Sequence, residues 1–370
     1  MFRSLIKEYM KSSLIVILFL ISSKLLFAKK LEVVFCVDFS GSTNGVVIEL
    51  QKTIWATMNQ LESEEYSEHI SFGLVGYGRK SFSKENYYSK IIHRLGSSVN
   101  DIGNALVGLQ VIINSCEAYP QNALDICLND IKWSKENGIK KIIVFIGNGE
   151  FPLKNIEKGL GKILRMDLNI QPIFYQPISN KLINGKESWE KFAKLVGSDL
   201  IIAQPLSKKV SFKKYYDEEF ILSSGAKLMS TYLPYGLEGN MQVKQLNRMF
   251  KKLKDISLEN FEEMLVYQSS KMVQGKCKWD LVDRLMSGEL FTEKLNKDDL
   301  PFFLQALSSQ QLINYVNIKL KERKIIVSKL RLELDKRNEY INRKQQKSKY
   351  MEGKGGLSNI ISIMLKDELE

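Results

Sequence analysis

The stretch LEVVFCVDFSGSTNGVV, residues 31–47, sets Asp38, Ser40 and Ser42 at alternate positions directly after a run of apolar residues. One carboxylate and two hydroxyls gathered around a tight turn are oxygen donors of the kind a hard divalent cation takes. Mg2+ keeps several waters and needs only a few protein oxygens beside them. A simpler role fits the same residues, because the hydroxyl of Ser40 or Ser42 could cap the helix that follows.

Other chemistry has little to rest on. The chain holds two histidines, His69 and His93, both in strand-like segments with no acidic or nucleophilic partner at hand. An aspartate after an apolar strand can act as a phosphoryl-transfer nucleophile. That reading wants a second acid two residues on, and Ser40 stands there. No phosphate-binding loop is present, and Gly159-Leu160-Gly161 lies in a basic helical stretch without the rest of a dinucleotide fingerprint. The cysteines, Cys36, Cys116, Cys127 and Cys277, have no metal-ligand spacing. The expectation is a protein that is not an enzyme.

The elements that would position Asp38 follow from hydrophobic patterning. Residues 31–37 read as a buried strand. Residues 46–61 read as an amphipathic helix, with Val47, Leu50, Ile54, Met58 and Leu61 at helical spacing. Further strands are expected at 69–78, 88–95, 140–147, 169–175 and 199–204, and helices at about 99–113, 121–136 and 187–196. Apolar strands separated by helices imply an α/β domain with a doubly wound, mainly parallel sheet covered on both faces. Ligands in such sheets bind beyond the carboxyl ends of the strands, which is where Asp38 would sit.

Asp38-Phe39-Ser40-Gly41-Ser42 at the end of an apolar first strand resembles the DxSxS motif of von Willebrand factor type A (VWA) domains. The resemblance covers roughly residues 30–206. It implies the alternating fold just described, a metal-ion-dependent adhesion site for Mg2+ or Mn2+, and recognition of a protein partner. The chain departs from the family twice. Where members have Thr-Asp-Gly after the fourth strand, it reads Gly147-Asn148-Gly149, and the loop NSCEAYPQNAL, where the family's threonine ligand would lie, offers Glu117 and no threonine. The implied metal set is therefore Asp38, Ser40, Ser42, Glu117 and Asn148. A competing alignment through VNDIGNAL would use Asn100. Glu117 is preferred because Pro120 and the residues after it lead by one helix straight to the 140–147 strand.

After Leu206 the pattern turns helical, with an extension over 207–300. Residues 217–250 begin as a helix, break at Pro234-Tyr235-Gly236 and Gly239, and resume as a long polar helix. STYLPYGLEG and WDLVD resemble a C-terminal extension of some bacterial secreted type A proteins. Trp279 and Tyr235 are read as packing residues rather than a ligand platform. A long basic helix spans 301–350, where Ile313, Leu320, Val327, Leu334 and Ile341 recur every seven residues and Val316 and Leu330 fall three later. Arg323 and Arg337 interrupt the second row. Such a seam is either half of a coiled coil, allowing self-association, or a stripe packed on the protein's own surface. Residues 351–370 form an amphipathic tail suited first to the protein body, then to a partner, then to a membrane surface.

The 370 residues carry a net charge of +12. Arg3, Lys7 and Lys11 precede the apolar run Leu14–Ile21, and Ala28 stands before Lys29-Lys30, the layout of a secretory signal peptide over residues 1–28. Its removal lowers the charge to +9 and leaves a VWA domain over 29–206. Lys319–Lys349 holds twelve basic residues against four acids, nearly the whole surplus. Without interleaved aromatics this is a solvated helix face, and no nucleic-acid partner is expected. The sequence reads as an exported protein-binding module, periplasmic or secreted, or membrane-anchored if the signal stays uncleaved. Its alternative is an envelope assembly factor acting through the C-terminal helices, with the metal site vestigial.

Overall fold

The computed structural model describes residues 30–43, 46–60, 70–96, 98–109, 117–153, 156–176, 185–203, 215–271, 273–288, 295–352 and 357–369. The expected signal segment lies outside them. Lys30–Asp38 (β1), Ile70–Tyr77 (β2), Ser89–Gly96 (β3), Ile139–Gly147 (β4), Leu168–Tyr175 (β5) and Ile201–Ala203 (β6) form a six-stranded sheet in the order β3-β2-β1-β4-β5-β6. All neighbours pair in parallel except β3, which runs antiparallel to β2 at the edge.

Both faces of β1 are covered, which is why its sequence is a continuous apolar run and not an alternating one. Leu31, Val33, Phe35 and Val37 face a core shared with Val46–Gln60 (α1) and Val99–Gly108 (α2). Val34 and Cys36 face the opposite core, built from Pro120–Asn129 (α3), Ile156–Arg165 (α4) and Lys186–Leu195 (α5). The helix expected over 121–136 stops at Asn129. The Trp133 indole turns back and donates to the Cys127 carbonyl at 2.8 Å, so the residues that look helical by spacing instead cover the last turn of α3.

A second layer of helices follows, lying on α1 and α2 through its members at 236–256, 258–268 and 357–369. It comprises Glu218–Met229 (α6), Gly236–Ile256 (α7), Leu258–Gln268 (α8), Leu281–Met286 (α9), Phe302–Gln305 (α10), Ser309–Glu352 (α11) and Leu357–Leu369 (α12). Phe261, Met264, Leu357, Ile361 and Leu365 belong to the same apolar core as Leu50 and Ile54 of α1. The outer side of α1, usually wet in a doubly wound domain, carries buried Gln51, Thr53 and Thr57. Asn260 of α8 donates to Gln51 at 3.1 Å and to the Ile48 carbonyl at 2.8 Å, and Thr57 meets Ser362 of α12 at 3.1 Å. The tail therefore docks on the body, where Lys140 at the base of β4 also donates to Glu368.

The seam of α11 packs on the protein's own surface. Its most buried row is Val316, Arg323, Leu330 and Arg337, so the two arginines that interrupt the apolar repeat are fixed points of the packing. Arg323 binds Asp280 at 2.6 Å, Asp283 at 2.7 Å, and the hydroxyl and carbonyl of Thr231 at 2.8 and 2.7 Å. Fourteen residues on, Arg337 meets Glu262 at 3.0 Å and Glu263 at 2.7 Å on α8. Asp280 also caps α9 and accepts from the Leu233 amide at 2.6 Å, which joins WDLVD to STYLPYGLEG. Gly239 does not break α7. It lies inside the helix, where a Cβ would stand 2.7 Å from the Trp279 carbonyl oxygen. Trp279 packs beside Tyr232 and Tyr235 stacks under Arg284, so both are packing residues.

Candidate metal-binding edge

Asp38 is the last residue of β1 and is only 1% exposed. Its Oδ1 accepts from the Ser40 amide at 2.8 Å, and the Ser40 side chain is a second hydrogen-bond partner. The Thr43 hydroxyl closes the turn by donating to the carbonyls of Asp38 at 2.7 Å and Ser40 at 2.9 Å. From the adjacent strand end, Gly78 presses on the carboxylate. It has φ +77°, and a Cβ there would stand 2.6 Å from Asp38 Oδ1, so both its backbone conformation and the space require glycine. Burial pushes the Asp38 carboxyl up to about 6, with the two Ser40 hydrogen bonds opposing the rise.

The strand order brings Asn148 to the same edge. It follows β4 directly, β4 pairs with β1 through Val37 and Ile146, and its side chain is buried. Glu117 and Asn100, the two alternatives for the second donor, separate clearly. Gly96 ends β3 beside Phe72, near the beginning of β2, so α2 and Asn100 start at the amino edge of the parallel strands. Asn100 Oδ1 there accepts from Gln268 of α8 at 2.6 Å. The chain returns along α2 to the carboxyl edge, where Glu117 precedes α3. Glu117 is exposed and accepts the Tyr119 hydroxyl at 2.6 Å; among the described residues it makes no hydrogen bond with Asp38. Ser42 lies in the 3-10 turn Gly41–Thr43, and its side chain is outside the described residues.

The donor chemistry suits a hard cation in kind: a buried carboxylate, a serine beside it and a buried amide side chain one strand away. The charge is thin. Among the described residues no three Asp, Glu, His or Cys side chains cluster closely enough to hold a metal. Neither Thr43 nor Gly78 is among the site residues expected from the sequence: Thr43 acts through local bonds within the turn, whereas Gly78 meets Asp38 only when β1 and β2 lie side by side. Tyr119 packs its ring against Tyr87 and Tyr88 at 5.6 and 6.3 Å, a rim cluster formed by residues about 30 apart in sequence. Of the histidines, His69 lies outside the described residues, and His93 is held below its ordinary pKa by burial, with Asp101 opposing.

The sheet order, the single antiparallel edge strand and the Asp38 turn give residues 30–203 a VWA-type fold. No protein-family model and no curated protein matches the chain. Solved structures that superpose on it include the pilus adhesin SpaC from Lactobacillus rhamnosus GG, at 15% identity and a TM-score of 0.36 over 48% of this chain and 28% of the adhesin. The conserved hypothetical protein BatB from Bacteroides thetaiotaomicron superposes at 10% identity and 0.36, over 60% of this chain and 99% of its own. The SpRpn10 VWA domain does so at 15% and 0.33, over 48% and 89%. The match thus spans under a third of the adhesin. The fold rests on the chain's own strand order and its antiparallel edge strand. No helix among the described residues is long and apolar enough to cross a membrane.

Proposed function

We propose that this chain is an exported, non-enzymatic protein-binding module that recognises its partner at the carboxyl edge of the sheet. Mg2+ or Mn2+ would be held there by Asp38, Ser40, Ser42 and Asn148, with Glu117 supplied from the loop before α3. Bound there, the cation would supply a Lewis-acidic centre for a partner's oxygen ligand. The observation that carries this reading is the Asp38 turn: a carboxylate buried at a strand end, clamped between Ser40 and a glycine that no other residue could replace. A fold indifferent to a ligand there would do as well with a neutral side chain, because burying an ionisable group costs free energy. The Tyr119 hydroxyl engages Oε2 of Glu117, so Oε1 is the oxygen that would serve.

Calorimetric titration with Mg2+ and Mn2+ tests the set. Asp38→Asn and Glu117→Gln should each abolish binding, Asn148→Asp should strengthen it by adding a carboxylate beside a hard ion, and Asn100→Ala should leave it intact. No heat with the wild type at millimolar Mn2+ would show a vestigial site and put the assembly-factor reading first. Intact mass of protein from its native host tests export, since a mature chain starting at Lys29 is expected.

A further inference from the structure

The long helix α11 carries a second apolar row, on the side away from its buried seam. Ile318, Ile325 and Leu332 recur every seven residues and are 54%, 57% and 63% exposed. At the N-terminal end the row continues through Tyr315 to Phe303, whose rings lie 6.0 Å apart, and Phe302 beside it is 87% exposed. From Tyr315 to Leu332 it runs about 25 Å along the helix axis at 1.5 Å per residue. Scattered apolar side chains are normal on a surface, whereas an aligned row of this length marks an interaction site.

Spacing says what lies on it. Contacts every seven residues drift only about 20° per repeat and so form a narrow line. It is one row where a full seam has two per heptad, since Lys321, Ser328 and Asp335 stand between its members. It fits a helix laid along it better than a membrane surface, whose apolar face spans about 100° or more of the helix. Charge says what kind of helix. Lys319–Glu322, Lys336–Glu333 and Arg343–Glu339 pair along α11, and Lys321 and Lys329, both exposed beside the row, have no acid partner among the described residues. A second copy laid antiparallel about Ile325 would set Lys321 against Lys329 at both ends, and a parallel copy would face each lysine with itself. Like charges so placed repel.

We propose that this stripe docks an acidic amphipathic helix of a partner protein, with apolar residues at seven-residue spacing on Ile318, Ile325 and Leu332 and carboxylates on Lys321 and Lys329. The site is separate from the sheet edge and does not depend on a metal there. The probes are two synthetic three-heptad peptides with the same leucine seam, one flanked by glutamate and one by lysine, titrated against the full chain by fluorescence anisotropy. The glutamate peptide should bind at least tenfold tighter than the lysine peptide and weaken with added salt. Ile325→Asp and Leu332→Asp should each cost tenfold or more, and Lys321→Glu with Lys329→Glu should invert the preference, all with an unchanged melting temperature because these side chains are exposed. Equal binding of both peptides, or indifference to Ile325→Asp, overturns the proposal. So does dimerisation of the free chain that Ile325→Asp abolishes, or flotation with phosphatidylglycerol vesicles that Phe302→Ser abolishes. Those results would give the stripe to a second copy or to a membrane.

Discussion

Asp38 at the sheet edge and Asp280 under α11 are both buried carboxylates that shape a turn, yet the molecule surrounds them differently. Asp38 has an amide and a hydroxyl for company and faces no cation among the described residues, so burial drives its pKa up against hydrogen bonds alone. Burial raises Asp280 as well, but there the Arg323 guanidinium works against the rise, and Asp283 shares the same guanidinium. Arg337 repeats the arrangement with Glu263 and Glu262, which outweigh burial and hold its pKa above the usual guanidinium range. Charge in the helical layer is matched inside the chain and serves to fix one register of α11. Charge at the edge is met, among the described residues, by hydrogen bonds alone.

Breaking a matched node should give the largest effect. Arg323→Ala leaves Asp280 and Asp283 buried without a counter-charge and is expected to cost about 3–5 kcal/mol in urea unfolding. Arg323→Met combined with Asp280→Asn and Asp283→Asn should recover part of that, because the uncompensated charges are gone. If Arg323→Ala proved neutral, the contrast with the edge would collapse.

The next effect concerns the shared core. Ile361→Ala on α12 removes fully buried apolar volume against α1 and should cost about 2 kcal/mol or more. Because both layers share one core, near- and far-ultraviolet signals should move together in a single transition. Two transitions would mean that the C-terminal layer is an independent unit.

At the edge the sign reverses. The folded-state value of about 6 for Asp38 lies above the ordinary 3.8, so the fold favours the protonated form. That contribution is present below pH 3.8 and lost as pH rises through 6, on the order of 3 kcal/mol at most by pH 7. The metal-free Asp38→Asn protein should therefore be at least as stable as the wild type at pH 7, with the difference closing toward pH 4. Millimolar Mg2+ should stabilise the wild type above pH 6 and do nothing for the variant, read as melting temperature against pH. A loss of stability in Asp38→Asn at pH 7 would place Asp38 with the structural acids.

The smallest effect is at Glu333, which accepts the Asp217 amide ahead of α6 and pairs with Lys336. The Asp217 amide, first, and Lys336 hold its carboxyl below the ordinary range, so its contribution is present above pH 4.5 and fades as pH falls through the lowered value. Glu333→Gln should cost a few tenths of a kcal/mol at pH 7 and nothing at pH 3, since exposed pairs contribute little.

Much of the first domain was legible in the sequence because its signals are local. A strand buried on both faces must be apolar throughout, a helix between two layers must repeat near 3.6, and Pro120 marks the first turn of α3. Asp38 could be placed at the carboxyl edge from the run before it. Tertiary structure alone decided the rest. That Asn100 begins at the amino edge depends on β3 running antiparallel, a direction no residue in β3 announces. The arginines of α11 read as flaws in a heptad because their acids lie 40 to 75 positions away in other elements, and only packing shows them to be fixed points. The outer side of α1 is polar by composition and buried by contact, because Asn260 and Ser362 arrive to bond with it. Periodicity reports which face of an element is apolar; which neighbour covers it is settled by long-range pairing, and there the short-range pattern holds no information.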